Sequence, residues 1–475
     1  MRSVDNLAAG ILLSAGLLLC LPHTAEALDA EVPVRTVSAE HTADRTLRQP
    51  AGKRRQAAET EEAVKKAVEA EAGSAANQAP AREQGEAIMQ KFNVRLTWPL
   101  YPSAVRYQVV VLRNNDPSSE NIVLTKEYVF SNGIDIDLSA FGEQAMDFYW
   151  VVCPLTFEGT GMAPFSAPKP IRGQPVNSPA PLVTTEFEKM DYFPLYPVFS
   201  WIPYRGSKQH ELQVIRHKTS GDEVIFRGIA GETDYYSDSG YTDPGAYSWR
   251  VRAVSSEGRA VSEWSEPQQF RVTQPVTVAA LGDSITHGGG AMCTPPGYTI
   301  YNWETYSEVP VKNLGFSGDP TYAMYERFDR DVLPFHPKIL VIMGGVNDFR
   351  LGTPAQDSIF YLEQMREKCL ANDIIPVFAT ATPVNPVLMD LRGILDSAAE
   401  DWKLNQQQLN AWVMSQPYHI DTASTVTDEE GFLLDTSDGL HPNQEGKRRI
   451  GKAISDYLLE TFPMIVRKRQ AVSEN

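Results

Sequence analysis

The hydrophobic pattern of this chain changes period at Val276, and that change limits the folds open to it. Before it, from Lys91 onward, short runs alternate apolar and polar residues, as in Val94-Arg95-Leu96-Thr97-Trp98 and Tyr107-Gln108-Val109-Val110-Val111-Leu112, with Gly, Pro, Asn and Asp clusters between them. A period of two marks half-buried antiparallel strands, and the spacing of the runs predicts all-β sandwiches. After it, wholly apolar runs alternate with helical segments. Residues 339–343 predict a strand, 356–370 a helix with Ile359, Leu362, Met365, Cys369 and Leu370 on one side, 374–379 the next strand, and 444–462 a closing helix. Buried strands joined by crossover helices imply parallel pairing and a three-layer α/β domain.

The β-rich part repeats itself at an offset of about a hundred residues, the size of one small sandwich. Trp98 corresponds to Trp201, Tyr107 to the region of Leu212, and Trp150 to Trp249; each of the last pair is followed by a Glu-Gly turn, Glu158-Gly159 and Glu257-Gly258. At these residues the chain resembles tandem fibronectin type III domains, over residues 91–174 and 175–273. The second copy is the clearer, through Tyr247-Ser248-Trp249-Arg250-Val251-Arg252 and Ser262-Glu263-Trp264-Ser265. In the first copy Pro154 interrupts the corresponding run, which predicts an edge or bulged strand there. The resemblance implies spacing or binding modules without chemistry of their own, and their tryptophans, at strand positions, read as core.

The first ninety residues have a different character. Arg2, the apolar stretch 8–21 and the small-residue exit Ala25-Glu26-Ala27 follow the plan of a secretory signal over residues 1–27, too short to span a bilayer comfortably. Residues 28–90 are rich in Ala, Glu, Gln, Arg and Lys and almost free of aromatics, so they cannot bury enough apolar surface to offset their chain entropy and predict a flexible stalk. Residues 466–475 read as a flexible tail. The formal charge of −17, with no basic cluster in the patterned part, disfavours nucleic acid and anionic membrane surfaces as partners. Cys153, Cys293 and Cys369 lie far apart and in odd number, which is not a disulfide framework, and no Cys or His spacing suggests a metal site.

Within the α/β part, an apolar run from Val276 breaks at Gly282 and delivers Asp283 and Ser284 where a buried strand ends and a helix begins, the place where open α/β sheets hold their chemistry. Ser284 reads as a nucleophile. A serine hydroxyl needs a base, and the base an orienting group. Asp438 and His441, three residues apart in one loop before the last helix, can supply both. The candidate oxyanion donors are the Ser284 amide, the Gly315 amide in Asn313-Leu314-Gly315-Phe316-Ser317-Gly318-Asp319, and the Asn347 carboxamide in Gly344-Gly345-Val346-Asn347-Asp348. Asp283 reads as a turn-supporting residue.

Gly282-Asp283-Ser284, Gly315, Gly345-x-Asn347-Asp348 and Asp438-x-x-His441 together resemble the four blocks of the SGNH (GDSL-like) hydrolases, over about residues 276–462 within a domain at 275–465. The resemblance implies a flavodoxin-like three-layer parallel sheet, Ser284 as nucleophile, His441 as base, Asp438 orienting it, an oxyanion hole of Ser284, Gly315 and Asn347, and no metal or organic cofactor. Between the first two blocks, His287, Tyr298 and Trp303 lie where the family lines its pocket; the residues leave open whether these side chains meet a sugar ring or a short acyl chain, or only pack. Residues 380–394 are expected to flank the same site. The expected function is an exported serine esterase acting on small acyl esters, acetyl above all, on carbohydrate, with the sandwiches as envelope-polysaccharide contacts. A lipolytic esterase, lysophospholipase or thioesterase of the same fold, or a non-catalytic adhesion or scaffold protein, are the alternatives.

Overall fold

The computed structural model of the protein describes residues 92–290, 298–394 and 398–469. The segments read as signal and stalk, together with Cys20 and Cys293, lie outside the described residues.

The first sandwich comprises β1 (Asn93–Thr97), β2 (Arg106–Leu112), β3 (Ile122–Val129), β4 (Gly133–Asp137), β5 (Tyr149–Leu155) and β6 (Lys169–Pro170). Strands β1 and β4 form one antiparallel sheet and β3-β2-β5-β6 the other. The second comprises β7 (Leu182–Val183), β8 (Val198–Ile202), β9 (Gln209–Lys218), β10 (Gly221–Ala230), β11 (Asp234–Tyr236), β12 (Gly245–Val254) and β13 (Gln268–Val272), as sheets β11-β8-β7 and β10-β9-β12-β13. The internal repeat is visible in this order: Trp150 on β5 and Trp249 on β12 occupy the third strand of equivalent four-stranded sheets, and Trp98, Trp150, Trp201 and Trp249 are all buried. Alternation places one face of each strand inward, and the large indoles fill the space between the sheets.

Pro154 does not mark an edge. Strand β5 lies between β2 and β6, with Pro154 opposite Tyr107. The Pro154 carbonyl accepts from the Met162 amide at 2.8 Å. The amide that proline lacks faces that same side, away from β2, so no ladder bond to β2 is lost.

The C-terminal domain holds five parallel strands, β14 (Val278–Gly282), β15 (Lys312–Asn313), β16 (Ile339–Met343), β17 (Ile375–Ala379) and β18 (His419–Ile420), in the order β15-β14-β16-β17-β18. The helices between them are α1 (Ser284–His287), α2 (Thr321–Asp331), α3 (Val346–Arg350), α4 (Ala355–Ala371), α5 (Pro386–Leu391) and α6 (Trp402–Met414), and α7 (Gln444–Thr461) follows β18. This is the flavodoxin-like order, whose switch point lies between the first and third strands. Helix α4 buries Ile359, Leu362, Met365 and Cys369, while Leu370, 100° round the helix from Cys369, is exposed. Past residue 465 the chain is still packed: Val466 is buried, and Arg469 donates to the carbonyls of Glu304 and Thr305.

The core of the second sandwich runs without a break into that of the C-terminal domain, whereas the first sandwich has its own. At the junction the Leu195 amide donates to the Asn313 carbonyl on β15 at 2.9 Å, and the buried Lys312 ammonium donates to the Phe193 carbonyl at 2.5 Å. The Tyr196 hydroxyl donates to Asp331 Oδ2 at 2.6 Å and accepts from Arg330.

Candidate active site

Strand β14 is buried throughout, and its end must turn sharply into a helix. Gly282 permits this, because a Cβ there would collide with the Thr286 side chain and the Met343 carbonyl. Asp283 caps α1, its Oδ1 accepting the Ile285 amide at 2.9 Å, as expected of a turn-supporting residue. Burial raises its carboxyl to about 6. Ser284 then opens α1, 9% exposed, at the carboxyl end of the strand.

His441 Nε2 lies 2.9 Å from Ser284 Oγ, and His441 Nδ1 lies 2.8 Å from Asp438 Oδ2. A carboxylate only accepts, so Nδ1 carries the hydrogen and Nε2 offers its lone pair to the serine hydroxyl. The other Asp438 oxygen accepts the amides of Leu440 and His441 at 2.9 and 2.8 Å. Burial pushes this carboxyl up, but the His441 charge and these hydrogen bonds outweigh it and hold it below the ordinary carboxylate value. Asp438 is therefore not the cap of α7; Asn443 is, accepting the amides of Glu445 and Gly446. Gly289 borders the imidazole, and a Cβ on it would stand 2.7 Å from His441 Cδ2.

Of the three expected oxyanion donors, one is engaged elsewhere in this structure. The Gly315 amide donates to Asn313 Oδ1 at 2.9 Å and is spent inside its own loop. The glycine is needed there for close approach, since a Cβ would strike the His287 backbone. Three residues on, Gly318 has φ +88° and open space before its Cα, and its amide has no acceptor among the described residues. Asn347, on α3 after β16, donates one amide hydrogen to the Asp319 carbonyl at 3.1 Å and keeps the second.

Arg327, on α2, joins these pieces and carried no signal in the sequence. Its buried guanidinium donates to the Gly282 carbonyl (2.9 Å), the Leu314 carbonyl (2.7 Å) and Asp319 Oδ2 (2.6 Å), so the nucleophile turn and the loop 313–319 hang on one side chain. Lys447, buried on α7, donates to the Ile285 carbonyl at 2.6 Å, and burial lowers its ammonium to about 8.

His287, Tyr298 and Trp303, for which the sequence leaves pocket lining and packing both open, are all buried. His287 is 4% exposed; Nε2 lies 2.6 Å from the Tyr196 carbonyl and Nδ1 2.7 Å from Ser317 Oγ, so it ties the second sandwich to the loop 313–319. Burial lowers its pKa to about 4 and keeps it neutral. Trp303 is fully buried, with its carbonyl against Gly451 of α7. Tyr298 is buried and hydrogen-bonded to Thr184, and Thr299 Oγ1 donates to Glu186, so this stretch is anchored in the second sandwich. Residues 380–394 back the catalytic loop: the Asn385 amide donates to the Gly439 carbonyl at 2.7 Å. Among the described residues no cluster of His, Cys, Asp and Glu could hold a metal ion, Cys153 and Cys369 are buried, and no helix is long and apolar enough to cross a membrane.

No curated protein matches this chain. Among solved structures it is similar to a GDSL-like lipase from Bacteroides thetaiotaomicron (21% identity, 40% of this chain and 89% of that one, TM-score 0.32). It is also similar to a lipase/acylhydrolase from Enterococcus faecalis (20%, 42% and 100%, TM-score 0.26) and to the acetyl xylan esterase AlAXEase (18%, 39% and 99%, TM-score 0.29). The family model for GDSL-like Lipase/Acylhydrolase matches residues 280–449, a span that runs from the end of β14 into α7 and contains Ser284, Gly318, Asn347, Asp438 and His441. By that match, the segment 280–449 of this chain is similar to the GDSL-like lipase/acylhydrolase family.

Proposed function

We propose that the chain is an exported serine ester hydrolase that removes small acyl groups, acetyl first among them, from carbohydrate. The observation that carries the reading is the run of contacts from Asp438 Oδ2 through His441 to Ser284 Oγ, at 2.8 and 2.9 Å. His441 Nε2 takes the Ser284 proton as Oγ attacks the ester carbonyl, and Asp438 holds the imidazolium in place. The oxyanion meets the Ser284 amide, the Gly318 amide and the free Asn347 hydrogen. The alkoxide leaves with the proton from Nε2, and water, deprotonated by the same nitrogen, releases the acid. The preference for a small acyl group on a sugar draws on the secretory-type N-terminus and on the two sandwiches that precede the hydrolase domain, and the sandwiches themselves are proposed as envelope-polysaccharide contacts.

The test is hydrolysis of p-nitrophenyl esters from acetyl to palmitoyl by the full chain, with Ser284→Ala and Asp438→Asn beside it. Preference for acetyl, lost by about 10⁴-fold or more in both variants, is the expected result. Activity rising steadily with chain length would replace the small-acyl reading by a lipolytic one. Unchanged activity in Ser284→Ala would refute the serine mechanism, and no activity in any of the three proteins would favour a binding role.

A further inference from the structure

The first sandwich, whose hydrophobic core is its own, reaches the hydrolase domain through a turn at the end of β5. Here the Thr156 amide donates to the Thr160 carbonyl and the Gly159 amide to the Thr156 carbonyl, so that Phe157 and Glu158 stand at the tip. Both meet Arg392. Glu158 Oε1 pairs with Arg392 Nη1, and the guanidinium carbon sits 4.9 Å from the Phe157 ring centroid. The Arg392 side chain is only 11% exposed, although it ends a surface helix.

The opposite side of the same guanidinium faces the catalytic loop. Arg392 Nε donates to the Ser437 carbonyl at 3.0 Å, and Ser437 precedes Asp438. On the other flank the Asn385 amide donates to the Gly439 carbonyl at 2.7 Å. Gly439 has φ +82°, and a Cβ on it would lie 2.5 Å from the Asn385 carbonyl oxygen, so the loop is pressed onto the start of α5. The carbonyls on either side of the catalytic carboxylate are thus both held by the segment 385–392. One of the two clamps is a planar donor whose remaining faces belong to the first sandwich. A guanidinium can serve carbonyl, carboxylate and ring at once because its donors lie in one rigid fork and its face is free to stack.

We propose that Arg392 is a positioning residue through which the first sandwich fixes the Asp438 loop, and hence the His441 imidazole, against Ser284. The role rests on the ester-hydrolase reading of the same site. Arg392 touches no reacting atom; it acts by holding the Ser437 carbonyl, and its own orientation is set by Phe157 and Glu158. Displacement of a catalytic group by about 1 Å costs on the order of 100-fold in rate, which sets the scale for loss of the clamp.

The test uses the full chain carrying Arg392→Ala, Arg392→Lys, Glu158→Gln, Phe157→Ala and the Glu158→Gln/Arg392→Ala pair. Three readouts are taken: kcat and KM on p-nitrophenyl acetate, the rate of Ser284 labelling by a fluorophosphonate, and the downfield proton resonance of the imidazole shared with Asp438, assigned by its loss in His441→Ala. Arg392→Ala is expected to lower kcat and labelling by about 10- to 100-fold, with KM within twofold, and to broaden the resonance. Arg392→Lys recovers part of the loss. Glu158→Gln and Phe157→Ala, on an exposed turn that tolerates change, lower kcat by about threefold to tenfold, and Glu158→Gln adds nothing once Arg392 is gone. Wild-type kcat and an unaltered resonance in Glu158→Gln, Phe157→Ala and Arg392→Ala, or losses that simply add, would overturn the proposal. A wild-type protein that neither hydrolyses esters nor labels would instead refute the ester-hydrolase reading, and the resonance would still decide whether Arg392 orders the Asp438–His441 pair.

Discussion

Replacing Gly289 by alanine isolates one steric contact at His441, the proposed base. A Cβ at residue 289 would lie 2.7 Å from His441 Cδ2 and 3.1 Å from Nε2, whereas ordinary carbon contacts begin near 3.4 Å. The ring must therefore retreat by about 0.7 Å. Gly289 has no positive φ, so the alanine brings no backbone strain of its own, and the partly exposed imidazole can swing outward without disturbing the core. The retreat stretches the 2.9 Å contact between Nε2 and Ser284 Oγ, or swings Nδ1 off Asp438. A shift of this size costs about 10- to 100-fold in kcat/KM, or roughly 1.4 to 2.7 kcal/mol of transition-state stabilisation. Steady-state hydrolysis of p-nitrophenyl acetate and fluorophosphonate labelling should fall in parallel, while the melting temperature stays within about 3 °C. Activity within twofold of wild type in a folded Gly289→Ala protein would refute the reasoning, because it would mean that the imidazole does not work from the position that excludes a Cβ.

Two further outcomes follow from buried polar groups. His287→Ala leaves the Tyr196 carbonyl and the Ser317 hydroxyl without their partner, which costs about 1–3 kcal/mol for each buried group left unsatisfied; a lower denaturation midpoint is expected, with a far smaller loss of kcat than in His441→Ala, and an activity loss equal to that of His441→Ala would restore His287 as a rival base. Glu304 is 2% exposed, both its carboxylate oxygens lack partners among the described residues, and burial raises its pKa from 4.5 to about 8. The folded state therefore holds a proton that the unfolded chain releases between these values, so the contribution is present below pH 4.5 and lost as pH rises through 8. Urea midpoints for Glu304→Gln should gain on wild type across that window, and a constant difference from pH 4.5 to 8 would refute the burial argument.

The sequence made the Ser284, His441 and Asp438 constellation legible because each part is announced locally. Ser284 follows a strand that ends in glycine, and Asp438 and His441 are near enough in the chain for one turn to join them. Gly315 and Gly318 lie in the same loop, and only the Asn313 side chain, by accepting the Gly315 amide, decides which of the two is free. No periodicity reports such a bond. Arg327 was invisible for a similar reason: an arginine on an amphipathic helix reads as surface until the groups it serves are folded around it. The position of Tyr298 and Trp303 in the chain leaves pocket lining and packing both open; the second sandwich and α7 cover them, and burial by a distant segment leaves no local trace. Leu370 fell on the wrong side through one residue of helical phase.

The bond from the Leu195 amide to the Asn313 carbonyl has a consequence for how this protein can be divided. Strand β15 is the outer member of the hydrolase sheet and only two residues long, and the segment 193–196 lies along it as a cover. Cutting the chain at about residue 275 would strip that cover, uncap an unpaired strand edge beside apolar surface that now belongs to a shared core, and leave the buried Lys312 ammonium without its acceptor. The hydrolase domain taken alone should then self-associate through the bared edge, while a piece beginning before β7 should remain monodisperse. The second sandwich and the hydrolase domain are therefore expected to be stable only as one piece, and a cut at the apparent linker would carry an aggregation hazard with it.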